Sequence, residues 1–210
     1  MVSLLLATLR RWLGPLLLAL VVLMALLLLL SPAERTLGQA IKLVYLHGAL
    51  VRTALIIFAV SLPVNLIALV TGRVKWFTWG KAMVWSAVII WLTHTLFSMI
   101  TTYATWGVFI AWFEPRTRFT FNLAAVSIIV VAVAQLVGNH RFSALVFALL
   151  SGLTLGLLPG LDFVQHPLNP IGTSPSGSIR LFYAAIFMIS MGIAGLLVIW
   201  LQDKVSTQPA

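Results

Sequence analysis

The chain contains no cysteine. Disulfides, thiolate metal sites and iron–sulfur clusters are therefore excluded, and so is a haem attached to the chain itself through C-x-x-C-H. Acid is almost as scarce, with four Asp and Glu residues against thirteen Lys and Arg. The four acids do not pair in sequence, which argues against a carboxylate couple working as general acid and base. No G-x-x-x-x-G-K-[ST] loop and no H-E-x-x-H helix occurs. Gly177, in "SPSGS", is a loop glycine rather than part of a nucleophile elbow.

What the chain has is apolar length. Hydrophobic residues make up 61% and charged residues 8%, and the mean hydropathy is +1.11. Soluble domains carry roughly a quarter charged residues. In lipid every backbone polar group must be satisfied within its own segment, so apolar runs of about 18 residues or more read as helices. The alternation of a membrane barrel is absent. The expected fold is all-α: one transmembrane domain over residues 1–210, with spans near 12–30, 46–70, 82–100, 119–137, 142–159 and 179–201. The first run follows Arg10 and Arg11 and exceeds an ordinary signal-peptide core, which favours a retained anchor over a cleaved signal. Pro63 is expected to kink the second span.

The net charge of +9 does not indicate nucleic acid. The basic residues stand singly or in pairs at the ends of spans, where the positive-inside rule and snorkelling account for them. With the N-terminus cytoplasmic, seven of them fall inside (Arg10, Arg11, Arg73, Lys75, Lys81, Arg141, Lys204) and five outside (Arg35, Lys42, Arg116, Arg118, Arg180). The termini are then cytoplasmic, the protein lies in an inner or plasma membrane, and the 73–81 loop is the clearest inner signal. Six spans also put the first, third and fifth loops on one face, the outer one. Those loops lead into His47, hold "TWGVFIAWFEPRTR" (Thr105 to Arg118) and hold "HPLNPIGTSPSGS" from His166.

Four histidines are available. His140, in "GNHR", reads as a turn residue facing water. His94 lies inside the third span, where a helix–helix hydrogen bond and a cofactor role are both open. His47 and His166 approach the same face from distant parts of the chain, an arrangement suited to bis-His haem iron. The third loop reads as a short amphipathic aromatic segment. Trp106, Phe109 and Trp112, at i, i+3 and i+6, can share a helical face and form a platform. Arg116 and Arg118 can pair with propionates. An interfacial aromatic belt explains the same rings without a ligand. Glu114 either ties down a basic residue in this loop or makes an exposed pair with Arg118 at i+4, which would contribute little. Arg52 must snorkel or pair, either with lipid or with an anionic ligand.

Three stretches carry a family resemblance. "IKLVYLHGAL" resembles an R-I-x-Y-x-H-V-P-x-A motif, with Lys42 for the arginine, Tyr45 and His47 matching, and Gly48 and Ala49 in place of Val-Pro. The third loop resembles the tryptophan-rich "WWD" signature through Trp106, Gly107, Trp112, Glu114, Pro115 and Arg116. Phe109 and Ile110 replace two tryptophans there, and Phe113 is an extra residue. "QHPLNPIGTSPSGSIR" resembles a loop that begins L-H-Q, which puts His166 on a second ligand histidine. Together they resemble the haem-handling membrane proteins of cytochrome c assembly, the six-span CcmC type.

The resemblance implies a non-enzymatic protein that presents haem b, held transiently and without a covalent bond, at the outer (periplasmic) face. It implies His47 and His166 as axial ligands, and other cytochrome c maturation proteins, haem and membrane lipid as partners. Any covalent bond would form on the partner protein. The competing expectation is a structural subunit of a larger respiratory or photosynthetic membrane complex that keeps the fold with an empty site. A transporter permease would need paired broken helices, which the sequence does not show convincingly.

Overall fold

The computed structural model describes residues 2–162, 164 and 171–206, with side chains from Thr8 onward. Among the described residues, six helices are long and apolar enough to cross a membrane. They are α1 (Val2–Leu30), α2 (Ile41–Thr71), α3 (Val74–Trp106), α4 (Pro115–Val137), α5 (His140–Leu157) and α6 (Gly177–Ser206), and a 3-10 turn at Leu158–Gly160 follows α5. The protein is an all-α polytopic membrane protein, as the apolar runs require.

The segment read as an inner loop, residues 73–81, is instead mostly helix. The α2–α3 connection is only Gly72 and Arg73, and α3 begins at Val74. Nothing in "VKWFTWGKA" breaks a helix except Gly80, and Gly80 is needed for packing. At about 1.5 Å per residue, the 33 residues of α3 are longer than a bilayer core requires. Lys75 and Lys81 therefore ride on a helix rather than in a loop.

The third loop differs as well. Gly107, at φ 74°, ends α3 in the left-handed conformation, with its N–H on the Tyr103 carbonyl. Only glycine adopts that conformation without a Cβ penalty. The chain then passes through short turns until Glu114 takes the N-cap position of α4, without a side-chain capping bond, and Pro115 the first helical position. The aromatic segment is therefore irregular, and Trp106, Phe109 and Trp112 do not share a helical face.

Helices α2 and α3 form the centre of the bundle. Trp91, Phe58, Phe147, Ala54 and Ala87 are fully or almost fully buried between them and their neighbours α4 and α5. In lipid the hydrophobic effect does not hold helices together, so close packing and interhelical hydrogen bonds must. Several such bonds are present. Thr53 of α2 donates to Ser190 of α6 at 2.9 Å, the Ser61 and Ser151 hydroxyls join α2 to α5 at 2.9 Å, and Ser86 of α3 donates to the Ala194 carbonyl of α6 at 3.3 Å.

Helix α1 packs mainly on α6. Near its start, Arg10 reaches Asp203 at 2.7 Å and Gln202 at 2.9 Å. At its other end the Lys42 ammonium donates to the Leu29 carbonyl at 2.7 Å. The beginning of α1 and the end of α6 therefore lie at one end of the bundle, and the first, third and fifth loops lie at the other.

Gly80 is a point of close α2–α3 approach. A Cβ there would run into the buried Asn65 side chain, whose amide already donates to the Ser61 carbonyl at 2.8 Å. Gly80→Val should therefore separate the two central helices and destabilise the protein by about 1–3 kcal/mol. Unfolding by SDS titration would measure this, with Gly160→Val, which has open space around it, as the neutral comparison.

Candidate functional site

A cavity of about 300 Å³ opens at the odd-loop end, enclosed by α2, α3, α4 and α6 with Leu37 and Ile171 from the flanking loops. This is at the small end of ordinary ligand pockets. Its floor is the indole of Trp91 and the imidazole of His94, and Val44, Val51 and Leu55 make an apolar wall. The α3 side carries Ser98, Thr101, Thr102 and Thr105. The Thr101, Thr102 and Thr105 hydroxyls donate to the carbonyls four residues back, at 2.7, 2.7 and 2.8 Å. Their protons are thus committed to the helix, and they offer the cavity only acceptor lone pairs.

Charge enters from two sides. Arg52 comes from α2 and stacks over the Tyr183 ring of α6, 5.1 Å from its centroid. Tyr183 itself leans on Gly48, where a Cβ would meet the ring at 3.4 Å. Arg116 enters from the first turn of α4. Glu114, 1% exposed, is buried beside it. The Glu114 carboxylate acts electrostatically on Arg116 and accepts the Val164 N–H at 3.3 and 3.4 Å. Glu114 therefore ties the third loop to the fifth and balances a cation in the cavity wall. The exposed pairing with Arg118 is not its role, since the carboxylate is buried while Arg118 is exposed.

Histidines 47 and 94 meet at the cavity. Their ring centroids are 4.5 Å apart at 36°. His94 is 2% exposed, and its Nδ1 lies 3.3 Å from the His47 carbonyl oxygen. A carbonyl can only accept, so Nδ1 carries a proton and donates it. His94 is the helix–helix hydrogen bond weighed from the sequence, and it faces the cavity as well. Twelve residues separate it from the end of α3 at Trp106, a depth of about 18 Å.

Of the sequence-expected site residues, His47, Trp106, Glu114 and Arg116 come together on this cavity. Phe109, Trp112 and Arg118 do not line it. Phe109 stacks on Tyr103 at 4.3 Å and 11°, Trp112 meets Phe121 at 5.2 Å, and both are 55% exposed. The platform of three rings on one helical face is therefore replaced by one ring in the cavity wall and two at the surface. His166 lies outside the described residues. Trp91 and Tyr183 were not singled out from the sequence, because an aromatic inside an apolar run looks like any core residue. Arg52 was, since a lone cation in a span needs a partner.

No protein-family model matches the chain, and no curated protein matches it.

Removing the Glu114 carboxylate should leave the Val164 N–H without its acceptor and the Arg116 guanidinium without its neighbouring charge. Glu114→Ala is expected to cost on the order of 1–3 kcal/mol, whereas exposed Arg118→Ala should stay within about 0.5 kcal/mol. SDS-titration unfolding of the two variants side by side would check this.

Proposed function

We propose that the protein binds haem b at the odd-loop end of the bundle and hands it to a partner in cytochrome c assembly. The observation that carries this reading is the convergence of His47 from α2 with Trp106 and Arg116 from the two sides of the third loop on one cavity. The donor set suits the ligand, and a cavity of about 300 Å³ would enclose one edge of the macrocycle rather than the whole of it. His47 supplies an imidazole, Arg52 and Arg116 supply guanidiniums for two propionates, and Trp91, Trp106 and the α2 aliphatics supply apolar cover for a macrocycle.

Bound haem would supply the iron centre, while the chain's part is to hold and orient it through His47 and the cavity's arginines. His47 and His94 cannot act as opposing ligands, because rings 4.5 Å apart are in contact and leave no room for a macrocycle between them. The second residue that would hold the iron in this reading is His166. The roles are binding and release, with no bond-making step on this chain. With the odd loops on the outer face, the side that the seven-to-five balance of Lys and Arg favours, a partner would collect the haem there.

Haemin titration of the protein in nanodiscs, followed in the Soret region, tests the proposal. His47→Ala should weaken binding at least tenfold. Arg52→Gln and Arg116→Gln should each weaken it by about ten- to a hundredfold, the worth of one charge-assisted hydrogen bond. Equal affinity in wild type and His47→Ala would contradict the reading.

A further inference from the structure

Trp91, His94 and His47 form a continuous column of rings running from the bundle core to the cavity. Trp91, at its base, is 1% exposed and fixed on several sides. Its Nε1–H donates to the Thr120 carbonyl of α4 at 3.1 Å. Phe58 of α2 and Phe119 of α4 meet it nearly edge-on, at 6.5 and 6.1 Å between centroids. His94 lies three residues further along α3, with its ring 5.2 Å from the indole. The His47 ring rests on His94 in turn.

The contact to His47 is double. Besides the ring packing, the Nδ1–H of His94 donates to the main-chain carbonyl of His47. One side chain on α3 therefore restrains both the backbone and the ring of the residue that faces the cavity from α2. A phenylalanine could provide the packing but not the N–H, and an asparagine could provide an N–H but not the ring.

We propose that His94 is the positioning residue for His47. By bracing that imidazole against the buried, hydrogen-bonded Trp91, it presents the ring to the cavity already oriented, so little order remains to be imposed when a ligand binds. Partners of this kind, which touch a ligating side chain but not the ligand's iron, typically change affinity 10- to 100-fold when removed. The identity of the ligand rests on the haem reading above; the bracing of His47 does not.

The test uses the full chain in nanodiscs with ¹⁵N-labelled histidine, as wild type, His94→Phe and His94→Leu. Without any added ligand, wild type should show one sharp set of His47 ring resonances, and His94→Leu several or broadened ones. His94→Phe should fall between them and serves as the deciding variant should His94→Leu not fold. On haemin titration, the dissociation constant of His94→Leu should rise 10- to 100-fold and that of His94→Phe by less. His47 resonances unchanged in both variants would overturn the proposal, as would an unchanged dissociation constant in a variant whose resonances broaden. Failure of wild type to take up haemin would instead overturn the haem reading, and the ligand-free spectra would still decide whether His94 positions His47.

Discussion

The seam between α2 and α3 is the constraint from which the rest of the molecule follows. At one end, Gly80 lets the helices close onto Asn65. In the middle, Phe58 and Trp91 fill the core edge to face. At the other end, His94 reaches the His47 carbonyl. Lipid provides no hydrophobic force to bring helices together, so each of these contacts has to supply shape or a hydrogen bond. Helices α4, α5 and α6 then pack around a seam that is already fixed. The cavity is the space left at the odd-loop end, where small and hydroxylated residues on α3 replace the bulky ones below.

Much of the fold was legible in the sequence because the bilayer leaves few choices. A run such as Val51–Val70 has no option but to be a helix in lipid, and six such runs dictate which loops share a face. The edges were less legible. Lys75 and Lys81 suggested a loop, yet helical hydrogen bonding continues through charged residues as readily as through apolar ones, and only Gly72 marks the turn. Gly107 had the opposite effect. It lies inside the aromatic motif and ends α3 there, which breaks the helical face that the spacing of Trp106, Phe109 and Trp112 suggested.

The site was legible where polarity is expensive. His47, Arg52, Glu114 and Arg116 stand out in an apolar chain, and all four face the cavity. Trp91 and Tyr183 do not stand out, because an aromatic ring in a membrane span is unremarkable until its neighbours are known. Glu114 shows how burial changes a residue's meaning. In sequence it reads either as a tie to a basic residue of its own loop or as half of a surface ion pair, whereas in the fold it is buried, joins two loops and offsets one of the cavity's two arginines.

The central claim is that this cavity is open to water and receives the ligand. Because the chain has no cysteine of its own, one introduced thiol can report on it without background. Thr102→Cys, in the cavity wall, should react with a small, charged, water-soluble thiosulfonate, and haemin should protect it. Ile100→Cys, exposed on the surface of the same helix among the apolar residues that face lipid, should not react. Equal labelling at the two positions, or labelling of Thr102→Cys that haemin leaves unchanged, would contradict the account.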